Sequence, residues 1–242
     1  MTGIAVAVTF LLLAAASALL PVGERVGSWL PLHLAMAGAA SVAIAGVMPF
    51  FSAAIATSQP VASTVRWASL IAVSVGAAGL SLGFVTGARD LAAAAGLVYV
   101  VGIVLVAYAT LLPVRGALGP RGGIVTVGYA VALVFVGIGA TLATVMLLGL
   151  PAVTAEWAQL KPAHAWLNLV GFISLVIATT LLHLFPTVVG ARIRRGWSAY
   201  LTVAGLAVGA ALVALGFALR ADALARVGAV ATLAGALALG AY

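Results

Sequence analysis

The sequence predicts an all-α integral membrane protein of about eight transmembrane helices, and three observations carry that prediction. Hydrophobic residues make up 65% of the 242 positions and charged residues only 6%, at a mean hydropathy of +1.31, whereas a soluble domain carries about 25% charged residues. The apolar residues run in long unbroken stretches rather than in the short alternating segments of a barrel strand. Lipid offers a backbone amide no partner, so such stretches must close their own hydrogen bonds as helices.

Taken in order between charged or proline-bearing breaks, the spans fall near 4–21, 31–56, 64–87, 91–113, 123–149, 162–189, 197–219 and 223–241. The first ends in the Ala-rich stretch near Ala14 to Ala18; no basic residue precedes it, so it reads as a retained span rather than a signal peptide. The loops after the second, fourth and sixth spans hold Arg66, then Arg115 and Arg121, then Arg192, Arg194 and Arg195, and no acid. The opposite loops hold Glu24, Arg25, Arg89, Asp90, Glu156, Lys161, Arg220, Asp222 and Arg226, nearly balanced in sign. An excess of arginine marks the cytoplasmic side, which places both termini in the cytoplasm and every acid outside, in a multi-pass protein of the plasma membrane.

The same reading accounts for the net charge of +7. Basic residues confined to short loops are a topology signal, so nucleic acid is not an expected partner. With no cysteine in the chain, disulfides, thiolate metal sites and cysteine nucleophiles are excluded. No phosphate-binding glycine loop stands out, since Arg121-Gly122-Gly123 is only a short basic turn. No Ser, His and acid gather at one depth for hydrolysis, and a proton-coupled transporter built on a buried carboxylate is disfavoured. Small residues recur at four-residue spacing, as Gly79, Gly83 and Gly87 on the third span and Gly205 and Gly209 on the seventh, and such strips bring helix backbones close.

The chain forms a single transmembrane domain with a suggestion of internal duplication. A shift of 131 residues brings Pro31 onto Pro162, His33 onto His164 and Arg89 onto Arg220. Two parallel four-helix repeats, near 1–120 and 121–242, would follow; the competing reading is that Pro and Arg collect at helix ends by chance.

Ionisable residues inside spans are functional candidates because burying them is costly. His33 and His164 each stand two residues after a proline suited to a first helical turn, on spans running in the same direction. Their imidazoles are expected at similar depth beneath the outer surface, where they can supply opposite axial ligands to a heme iron, or two ligands to copper. Met36, three residues after His33, adds a thioether on the expected α-helical face and completes a copper variant from His33, His164 and Met36. The competing role for each histidine is a hydrogen bond to water or a backbone carbonyl near the headgroups. His183 lies 19 residues past His164, roughly 28 Å along the same helix, so the two cannot share a mononuclear site. Interior hydrogen bonding, a second cofactor contact or a quinone contact are its alternatives. Asn168, one turn past His164, can orient that imidazole or fix a helix contact. Trp157 fits an interfacial belt, and Glu156 reads as solvated or as a proton donor or metal ligand.

The segment His164-Ala-Trp-Leu-Asn168-Leu-Val-Gly171-Phe172, continuing through Leu184-Phe185-Pro186 to Arg192, resembles a histidine-bearing helix of membrane proteins related to the heme-copper oxidases. It is similar to the membrane region that precedes the cupredoxin domains of some actinobacterial multicopper oxidase or nitrite-reductase-like proteins. The stretch Pro31-Leu-His33-Leu-Ala-Met36-Ala-Gly38 and the later Met48-Pro49-Phe50-Phe51 resemble an earlier helix of the same region. The resemblance implies a module that binds heme b, or alternatively copper, through His33 and His164 and serves electron transfer. It also implies an extracellular cupredoxin-type partner on a separate chain or beyond this sequence, quinol as a donor, and a homo-oligomer. There is no adjacent His-His pair and no His-x-His helix, so oxygen reduction within this chain is not expected, and an oxidoreductase role would be that of an electron-transfer part. A transporter or channel for a metal ion or small solute, and a non-catalytic membrane anchor or assembly subunit, are the alternative functions.

Overall fold

A computed structural model describes residues 2–115, 123–193 and 196–242. Arg121, Arg194 and Arg195, which the charge reading uses, lie outside the described residues. Within them all regular structure is helical. The elements are α1 (Thr2–Ala18), α2 (Trp29–Ile55), α3 (Ser63–Thr86), α4 (Arg89–Arg115), α5 (Gly123–Leu147), α6 (Trp157–Val188), α7 (Trp197–Ala218) and α8 (Asp222–Gly240), with a single helical turn at Pro151–Thr154.

Seven of these helices, α2 to α8, are long and apolar enough to cross a membrane. The shorter α1 has 17 residues, against the roughly 20 that a perpendicular crossing needs. Large aliphatic side chains line the outward faces: Leu12 is 65% exposed, Val104 62% and Leu237 65%. Apolar faces this extensive have no place in water, and a lipid bilayer is the environment that accepts them.

Contacts divide the chain into two compact units. One comprises Met1–Arg121 with Ala143–Leu150, the other Gly122–Leu142 with Pro151–Tyr242. The helices inside each unit meet at glycine. A Cβ built on Gly76 would stand 2.6 Å from the Tyr99 amide nitrogen, and one on Gly83 2.6 Å from that of Ala92, so α3 and α4 touch backbone to backbone. Between α7 and α8, Gly209 faces the Thr232 amide at 2.7 Å and Gly216 that of Ala225 at 2.6 Å. The glycine strips thus pack inside the units, as lipid-embedded helices without a hydrophobic drive between them require. Gly87 is a correction to that strip: it ends α3 at φ 74 with open space around it, a left-handed stop rather than a packing position.

Polar side chains add directional links. Ser52 donates to the Thr110 carbonyl at 2.6 Å, joining α2 to α4. Tyr129 on α5 is hydrogen-bonded to Thr180 on α6 at 2.8 Å. Such bonds hold membrane helices by about 0.6–2 kcal/mol each.

Both α2 and α6 contain a π-helical stretch, Leu34–Ala40 and Leu167–Ser174. In each, a serine hydroxyl reaches back five residues: Ser41 to the Met36 carbonyl at 2.9 Å and Ser174 to that of Leu169 at 2.8 Å. The α6 helix also starts five residues before the expected Pro162, which lies inside it. Pro162 lies in the second turn, where its missing N–H removes one bond of the ladder, to the Ala158 carbonyl.

Candidate functional site

His33 is the last α-helical residue of α2 before the π segment. Its ring folds back along its own helix, with Nδ1 2.8 Å from the carbonyl oxygen of Trp29. The imidazole stacks on the Trp29 indole at a centroid distance of 3.9 Å and an interplanar angle of 18°. On α3, Phe84 stacks on the same indole at 3.8 Å and 11°. The Trp29 indole therefore stacks both on His33 of its own helix and on Phe84 of α3, by aromatic contacts worth about 0.5–1.5 kcal/mol each.

His164 is held differently. Its Nδ1 lies 2.8 Å from the carbonyl oxygen of Gly139 on α5. Asn168, one turn on, donates from Nδ2 to the His164 carbonyl at 2.7 Å and sits 3.1 Å from His164 Nδ1. The two contacts to Nδ1 compete, since a carbonyl needs a proton there and an amide N–H needs a lone pair. The shorter contact, to an oxygen that can only accept, decides for the proton on Nδ1. Glycine at 139 is part of this arrangement, because a Cβ there would stand 2.9 Å from Asn168 Cγ. Ala163 and Leu167 beside it pack with Ala214 into a buried apolar cluster against Phe135.

A carbonyl oxygen can only accept, so Nδ1 carries the proton in both rings, and in the neutral imidazole the lone pair falls on Nε2. That is the state a metal-ligating histidine takes, with the far nitrogen tied to a backbone carbonyl. The two residues that could hold a heme iron or copper are thus pre-set in the same tautomer by unrelated local structure. Each belongs to its own unit.

The remaining sequence candidates are placed as follows. Met36 lies in the π segment, whose wider winding carries it further round from His33 than an α turn would. His183 is half-buried on α6, where its carbonyl accepts from the Thr187 hydroxyl at 2.7 Å. Among the described residues no three His, Cys, Asp or Glu side chains stand together. Glu156 pairs with Arg220 at 2.9 Å. With its amide oxygen turned to Arg220, Gln159 accepts from Nε at 2.8 Å and from Nη2 at 2.9 Å. At 65% and 48% exposure of the pair this link contributes at most about 1 kcal/mol.

Sequence reasoning did not find Trp29, Phe84 or Gly139. Trp29 carried a signal, standing four residues before His33; the Gly139 carbonyl carried none, since any backbone position on another helix could have filled that role. Comparison with known proteins finds no matching family model and no matching curated protein.

Proposed function

We propose that the protein is a membrane electron-transfer module that binds a redox cofactor, heme b or alternatively copper, with His33 and His164 as the candidate ligands, each through its Nε2. The observation that carries this reading is that each Nδ1 lies 2.8 Å from a backbone carbonyl oxygen, which puts the proton on Nδ1 and the lone pair on Nε2, the tautomer a metal-ligating histidine takes. A bound heme or copper would supply the one-electron chemistry; the chain's own part is to orient the imidazoles and exclude water. Ala163 and Leu167, which flank His164 in sequence, belong to a buried apolar cluster, and the Trp29 indole covers one face of the His33 ring.

In this reading the chain crosses the plasma membrane eight times, α1 included, with both termini cytoplasmic. Quinol is the donor and an extracellular cupredoxin-type protein the acceptor, in a homo-oligomeric assembly. His183, well along α6 from His164, is a contact for a quinone or a second cofactor. Heme extraction and elemental analysis of the purified protein test the proposal. Heme or copper bound in a fixed ratio to protein, and lost from His33→Ala and His164→Ala, is expected. Unchanged content in both variants would contradict it.

A further inference from the structure

We infer that the chain is a tandem duplication of one four-helix unit, α1 to α4 repeated as α5 to α8, in a register that the prolines and histidines do not follow. The close contacts inside each unit carry this. In the first unit Gly76 meets Tyr99, Gly83 meets Ala92, and Gly102 meets Val73; in the second Gly209 meets Thr232, Gly216 meets Ala225, and Gly235 meets Leu206. Every residue of the second set stands 133 positions after its counterpart in the first.

The same shift relates features that owe nothing to glycine packing. Left-handed residues close corresponding helices, Thr57 at φ 50 with Gly190 at φ 69, and Gly87 at φ 74 with Arg220 at φ 55. The turn bonds agree: Ser58 N to Ala53 O with Ala191 N to Pro186 O, and Gly87 N to Phe84 O with Arg220 N to Phe217 O. Both π segments begin in this register, at Leu34 and Leu167, and so do the serines that reach back five residues.

On the first helix of each unit the shift is 125. Gly3 meets Gly46 as Gly128 meets Thr179, and Phe10 packs on Gly38 as Phe135 packs on Gly171. The change from 125 to 133 equals the length of Ala143–Leu150, a segment that groups with the first unit rather than with its own helix. Chance glycine pairing between membrane helices would not hold one shift through contacts, turns and π segments together.

The repeat is kept where helices touch and is broken at every histidine. His33 corresponds to Trp166, His164 to Pro31 and His183 to Phe50, and the partners Gly139 and Asn168 correspond to Ala14 and Ala35. The shift of 131 that superimposes the two histidines is therefore two residues out of register with the fold.

Grafting within the full chain tests this. Residues 76–102 are replaced by the sequence of residues 209–235, and in a second variant by that of residues 207–233, the register set by the histidines. Neither segment contains a histidine, so the outcome is independent of cofactor binding. The first graft is expected to give a membrane-inserted, monodisperse protein with a thermal midpoint near that of the wild type, and the second to aggregate. Equal tolerance of both grafts, better tolerance of the second, or failure of both would overturn the duplication.

Discussion

Each imidazole is held by a backbone carbonyl oxygen, that of Trp29 at His33 and that of Gly139 at His164. Asn168→Ala removes the amide that ties the His164 turn, and is expected to weaken ligand affinity by less than the about 10–100-fold that loss of the imidazole's own N–H acceptor costs. Heme titration of the apoprotein is expected to show that weakening while the protein stays folded. Glycines on α5 supply a matched pair for the same point. Gly139→Ala would drive a Cβ into Asn168, whereas Gly137 has open space around it. Gly139→Ala should therefore weaken cofactor binding, and Gly137→Ala should leave it intact and raise stability by about 0.5–1 kcal/mol through helix propensity. The histidines themselves were legible in the sequence, because ionisable groups in apolar spans are few. What fixes their tautomers was not, since Trp29 and Gly139 act through carbonyl oxygens that any residue possesses.

Helices and hairpins test differently. In Gly83→Leu and in Gly216→Leu the new side chain meets backbone 2.6 Å away, which no rotamer can relieve. Each is expected to lower stability by about 1–3 kcal/mol, read as a fall in thermal midpoint in detergent. Near the far end of α6, Pro186 has no N–H to give the Leu182 carbonyl four residues back, and the Tyr242 hydroxyl donates to that carbonyl at 2.8 Å. Tyr242→Phe should cost about 1–2 kcal/mol by leaving the acceptor bare. The helices were legible to within a few residues, as in 31–56 against Trp29–Ile55, because charge and proline interrupt the apolar runs. The π segments were not, since Leu34–Ala40 and Leu167–Ser174 are as apolar as their surroundings and hydropathy does not encode i→i+5 bonding.

For the molecule as a whole, an all-helical membrane architecture follows from composition alone, while its repeat had to be seen in contacts. Proline and histidine are the conspicuous landmarks of an apolar sequence, and they are the residues that depart from the repeat. Glycine and alanine carry it, and in a chain with 28 glycines they align at many shifts. The fold and the proposed chemistry thus make separate demands on the same helices, and the proposed chemistry stands or falls on His33 and His164 as ligands of a redox cofactor. The absorption spectrum of the purified protein, oxidised and then reduced with dithionite, tests this most directly. A Soret band, or for copper a metal-dependent band, that shifts on reduction in the wild type and is lost or displaced in His33→Ala and His164→Ala is expected. A colourless wild-type protein, free of metal when made in cells replete with heme and copper, would contradict it.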